Sequence, residues 1–133
     1  MFYKDNEHNE RFFALLKKYH KIFPSGKVDP EYATAYYLLT GNPYVWAKAK
    51  KYVDEDGIDF CAMLENTVFS SGESLIVKLA ANLFNGDFYN EISPLDFISI
   101  LDDEHFKMIM EAIELRKIGG KLTLDYLEGC TGS

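Results

Sequence analysis

The densest collection of groups able to do chemistry in this 133-residue chain is Asp102-Asp103-Glu104-His105, where carboxylates and an imidazole could ligate a hard cation or exchange protons. Consecutive side chains point in different directions, however, and acids in a first helical turn stabilise the positive end of the helix dipole. The spacing therefore reads better as a helix start than as a metal or acid/base centre. Asp5, Glu7 and His8 make a second acid/base candidate, and the same residues serve as a helix cap. Asp54-Glu55-Asp56-Gly57 sets carboxylates beside a glycine, as an EF-hand loop does, but with Gly57 at position six, position one falls on Tyr52. A solvated turn is the expectation there. Cys61 lies in no nucleophile frame and is expected to be a buried structural thiol. The phosphate-cradling glycine patterns and the H-E-x-x-H zinc motif do not occur, and His8, His20 and His105 have no spacing that would bring two onto one metal. On these grounds no catalytic residue, metal or cofactor is assigned.

Charge carries more information than motif. The net charge is −7, and it is lopsided. Residues 1–51 hold nine Lys or Arg against five Asp or Glu, a balance of +4; residues 52–133 hold five against sixteen, a balance of −11. Asp54, Glu55, Asp56, Asp87, Glu91, Asp102, Asp103 and Glu104 form a candidate acidic interaction surface. Such a surface repels phosphate, so direct nucleic-acid binding is disfavoured while a basic protein partner is steered in. Lys17, Lys18, Lys21, Lys48, Lys50 and Lys51 form a candidate basic patch. The turn Thr40-Gly41-Asn42 has the length of a helix-turn-helix joint, but the following helix lacks base-reading Arg, Asn and Gln and carries Tyr44 and Trp46 as packing residues. A plain helical hairpin is expected.

The elements that must position these groups are helices. Asp5 caps a first helix expected from about Asn6 to Phe23, with Phe12, Leu15, Leu16, Tyr19, Ile22 and Phe23 on one face and Pro24-Ser25-Gly26 as its stop. Asp29-Pro30 opens a second, ending at Gly41 in a left-handed C-terminal position, and Asn42-Pro43 opens a third, through about Val53. A short fourth helix is expected within Ile58–Asn66. Ser70 and Glu73 make a capping box ahead of Leu75 to Phe84, which is apolar on nearly every side and is expected to be the buried central helix. Ser93-Pro94 starts a short helix through Leu101, and Asp102 caps one to about Lys117 that turns Phe106, Ile109, Met110 and Ile113 inward. Thr123–Glu128 suits a short helix or a strand, and residues 129–133 are expected to be mobile.

The fold class is therefore all-α: one compact bundle of six or seven short helices around a buried central helix. Residues 1–117 form the domain and 118–133 a partly mobile tail. At 47% apolar and 15% aromatic the chain has the hydrophobic surface to fold without a metal. No apolar run approaches the ~20 residues that cross a bilayer, and the opening Met1 to Asp5 lacks a signal peptide's apolar stretch. Cys61 and Cys130 match no disulfide framework, so reduced thiols and a cytoplasmic location are expected.

Three stretches together resemble an uncharacterised family of small proteins from Gram-positive bacteria and their phages, a domain of unknown function. They are Phe2 to His8 leading to Arg11-Phe12; Ser74-Leu75-Ile76 through Asn82-Leu83-Phe84-Asn85-Gly86; and Ser93-Pro94-Leu95-Asp96 continuing through Asp102 and Phe106 to Arg116. The resemblance covers residues 2 to about 117 and brings no catalytic residue. It implies a phage or mobile-element setting. The expected function is then a non-catalytic acidic protein-binding factor that inhibits a host nucleic-acid-processing or defence protein by occupying its surface. Two alternatives stand beside it: a small hydrolase or metal-dependent enzyme using His8 or the Asp102–His105 cluster, and a structural homo-oligomer.

Overall fold

The computed structural model describes residues 3–85 and 92–129. Among them are eight α-helices and one two-stranded hairpin. Helix α1 (Asn6–Lys18) begins where Asp5 Oδ1 accepts the His8 amide at 2.8 Å, and it stops five residues before the expected Phe23. The stop is a Schellman motif: His20 turns left-handed at φ 58°, the Lys21 amide donates to Leu16 O at 2.9 Å, and the His20 amide donates to Lys17 O at 3.3 Å. Ile22 then pairs with Val28 across a tight turn.

Helix α2 (Pro30–Thr40) is capped by Asp29, whose Oδ1 accepts the Glu31 and Tyr32 amides. Every residue from Ala33 to Thr40 is buried. The central helix is therefore α2 rather than the segment from Leu75 to Phe84. Its two threonines do not oppose burial, because the Thr34 and Thr40 hydroxyls donate to Pro30 O and Tyr36 O one turn back. Gly41 ends α2 in right-handed geometry, φ −73°, not in the expected left-handed one. Glycine is needed for space: a Cβ there would overlap Met108 Sδ.

Helix α3 (Pro43–Ala49) gives way to a 3-10 turn at Lys50–Tyr52 and the hairpin β1 (Val53–Asp54) and β2 (Gly57–Ile58), so the expected helix to Val53 is shorter. Asp54 Oδ1 accepts the Asp56 and Gly57 amides and closes the expected turn. Helix α4 (Phe60–Asn66) is short, and Cys61 on it is exposed rather than buried. The Ser70/Glu73 capping box starts α5 (Ser71–Phe84). Helix α6 (Pro94–Ile100) buries only Phe97. Helix α7 (Asp103–Ile118) buries Met108, Ile109, Ala112 and Leu115, while Met110 and Ile113 are exposed. Its inner face is thus rotated from the expected one, because α2 covers the stripe that Met108 leads into the Gly41 notch.

Helices α1, α5 and α7 all run antiparallel to α2 and surround it. His8 reaches Tyr37 O and Arg11 reaches Thr40 O, while Tyr19 lies by Tyr36 at the other end of α1. The Tyr32 and Phe84 rings lie 4.8 Å apart, Arg116 lies 3.6 Å from Glu31, and His105 meets Asn42. One pole of the bundle thereby gathers the N-termini of α1, α3, α5 and α7. Residues after Ile118 join the core: Val28 N donates to Leu122 O and Leu124 N to Gly26 O, and α8 (Leu124–Gly129) buries Leu127. Residues 130–133, the rest of the expected mobile stretch, and Cys130 lie outside the described residues.

Candidate functional site

The pole where the N-termini gather holds a cleft of about 280 Å³ lined by residues of α3, α5, α6 and α7 and by their caps. Three N-cap residues meet in it: Asn42, Ser70 and Asp102. Each satisfies free amides of its own helix, and two of them, Asn42 and Asp102, also bind the His105 ring. Asp102 Oδ1 accepts the His105 amide at 2.8 Å and lies 2.7 Å from His105 Nδ1. Asn42 Oδ1 is committed to the Tyr44 and Val45 amides, so its amide nitrogen is the donor to His105 Nε2 at 3.0 Å. That assigns the proton of the neutral ring to Nδ1, facing Asp102. The backbone amide and ring of His105 hold the Asp102 carboxyl below its ordinary range.

On the α5 side, Glu73 Oε1 accepts the Ser70 amide at 2.8 Å and Lys48 Nζ at 2.9 Å. The Ser70 amide, then the Lys48 ammonium, hold the Glu73 carboxyl low. Lys48 also donates to Val68 O. Apolar side chains frame this polar floor: Ile76 is buried beneath it, and Tyr44 and Ile100, 72% and 47% exposed, stand at its rim.

The other candidates are distributed elsewhere. His8 is fully buried, its Nε2 donating to Tyr37 O at 2.8 Å and its Nδ1 accepting the Lys4 amide at 3.0 Å. Burial lowers its pKa to about 4. Glu7 lies outward against Arg11, and Asp5 is spent on the cap, so the three do not converge on a reaction. Cys61 donates to Glu65, whose charge raises the thiol's pKa and keeps it from the nucleophilic thiolate form.

The carboxylates of Asp54, Glu55 and Asp56 are exposed on the hairpin turn, and those of Asp102, Asp103 and Glu104 at the start of α7. The two groups lie at opposite ends of α5: Leu101 packs by Gly72, whereas Phe60 packs by Phe84, twelve residues or roughly 18 Å further along that helix. Asp87 and Glu91 lie outside the described residues. The six lysines of the basic group have different surroundings. Lys17 and Lys18 are exposed at the end of α1, Lys21 lies 3.7 Å over the Tyr32 ring, and Lys50 and Lys51 are exposed in the 3-10 turn, while Lys48 is paired with Glu73. His20 lies 4.0 Å from Glu55, so the basic end of α1 borders the acidic hairpin.

Sequence reasoning reached Asp102 and His105 but not Asn42, Glu73, Tyr44 or Ile100 as cleft residues. Asn42 and Glu73 were legible as caps; their second partners are 63 and 25 positions away and carry no local signal. Among the described residues no group of three or more His, Cys, Asp or Glu is placed to hold a metal, and no helix is long and apolar enough to cross a membrane. No curated protein and no solved structure matches the chain. One family model does match, over residues 1–119, and by that match the chain belongs to DUF6075, a family of unknown function.

Proposed function

We propose that the protein is a non-catalytic protein-binding factor that meets its partner at the cleft between α3, α5 and α7. The observation that carries this reading is how the cleft divides its groups: the titratable ones are tied to each other, and large apolar ones face outward. His105 uses both ring nitrogens within the chain, and Glu73 is held by Lys48 and by its own cap. A general base must reach a substrate proton, and His105 Nε2 is already engaged by Asn42. Tyr44 and Ile100, by contrast, are exposed around a concave floor, as side chains that a partner surface would cover.

The finer proposal is that the chain is carried by a phage or mobile element and that its partner is a host protein of the nucleic-acid-processing or defence kind. The −11 balance of residues 52–133 supports a basic partner. The separation of the hairpin carboxylates from those of α7 supports a local contact over a continuous polyanionic surface. Affinity capture from host lysate, run in parallel with the wild type and with Tyr44→Ala/Ile100→Ser, is expected to retain at least one protein that the variant loses. Identical captured sets would sink the reading. So would substrate turnover by the purified chain that His105→Gln abolished.

A further inference from the structure

We infer that the cleft receives an arginine side chain from a basic segment of the partner. The inference rests on the cleft being the contact face proposed above, and adds the chemistry of what enters it. At about 280 Å³ the cleft lies just below the roughly 300–1,000 Å³ of small-molecule sites, a size for one large side chain rather than for a folded element. Its lining is mixed: Ile76, Ile100, Leu101 and the Tyr44 ring supply an apolar side, and the capping side chains with Glu73 and His105 a polar one. Its charge is negative. The lining carries two carboxylates, Glu73 and Asp102; Lys48 balances Glu73, which leaves Asp102, on which Lys4 acts as a cation, while Asp103 and Glu104 lie exposed outside the lining.

Asp102 Oδ1 takes both bonds from His105, and Oδ2 joins no hydrogen bond among the described residues. A guanidinium entering along the apolar side could lie against Tyr44 and donate to Oδ2, combining a stacked contact with a charge-assisted hydrogen bond. The fold already uses this recognition internally, with Lys21 over Tyr32 and Lys48 over Phe69 beside Glu73. A second copy of the chain is a poor source of the guanidinium. Its arginines are Arg11 and Arg116, and both donate to backbone carbonyls, of Thr40 and Leu83.

The test is a titration of the full-length 15N-labelled protein with acetyl-Ser-Arg-Gly-Arg-Ser-amide and with the same peptide carrying citrulline for arginine. Citrulline keeps the shape and removes the charge. Shifts are expected at the Gly72 and His105 amides and the Asn42 side-chain amide, with binding at least tenfold tighter for the arginine peptide. Asp102→Asn keeps an N-cap oxygen for His105, so the variant folds, and it should weaken arginine-peptide binding at least tenfold. Equal binding of the two peptides, shifts confined to residues 54–57, or unchanged affinity in Asp102→Asn would each overturn the inference. If those results appear while Tyr44→Ala/Ile100→Ser still strips a partner from the captured set, the arginine inference falls and the protein-binding reading stands. If that variant strips nothing, both fall.

Discussion

His8 and His105 flank the turn between α2 and α3 and hold opposite tautomers. His8 carries its proton on Nε2, facing Tyr37 O, and His105 on Nδ1, facing Asp102. Protonating His8 would set a second N–H against the Lys4 amide and a charge inside the core. Its folded pKa of about 4 lies below the unfolded 6.5, so the unfolded chain binds the proton more readily. The stabilisation is therefore complete above about pH 6.5 and is lost as pH falls toward 4, worth about 3 kcal/mol over that window. Two-dimensional 15N spectra of the imidazoles should show His8 still neutral, protonated on Nε2, at pH 5.5. A midpoint near 6.5 would refute the geometry. The sequence placed His8 in a first helical turn and left open whether it was a base. What closes the question is Tyr37 O, 29 residues away, a partner that no spacing rule could supply.

At the scale of elements, the starts were legible, and so were the stops of α2, α5 and α7, but those of α1 and α3 were not. A helix start is written locally, because Asp5, Asp29, Asn42, Ser70 and Asp102 reach amides two or three residues on. The stop of α1 depends on His20 adopting φ 58°, which a histidine does at a cost, so the apolar stripe ran on past it in the sequence. That cost predicts that His20→Gly raises stability by about 0.5–1 kcal/mol, read as a higher urea midpoint. The His20–Glu55 pair is too exposed to offset the gain. A lower midpoint would mean that the side chain contributes more than its backbone costs. Gly41 behaves in the opposite way. Its backbone is ordinary, but Met108 Sδ fills the place of a Cβ, so Gly41→Ala should cost about 1–3 kcal/mol through overpacking against fully buried Met108. The central role of α2 had a readable signal as well: no charged residue occurs from Tyr32 to Ala47. The Leu75–Phe84 run drew the assignment because its aliphatic residues look more hydrophobic than tyrosine and threonine, although the threonine hydroxyls cap their polarity on their own helix.

For the whole molecule, the family match and the folded unit end at different places. The match closes at residue 119, but the core continues through Leu122 and Leu127, both fully buried. Burying two leucines contributes on the order of 3–5 kcal/mol, and two backbone hydrogen bonds join residues 122–124 to the turn that follows α1. Against the ~5–15 kcal/mol that a domain of this size typically has, removal of that segment would be severe. A chain cut to residues 1–119 should therefore unfold at a markedly lower urea concentration than the full chain, with the 22–28 turn losing amide protection first because Gly26 and Val28 make those bonds. The cleft lies at the opposite pole, beside the N-termini of α5 and α7, so its contacts should survive whatever fraction remains folded. An unchanged midpoint in the shortened chain would mean that Leu122 and Leu127 cover the bundle without supporting it, and that residues 1–119 suffice for the fold.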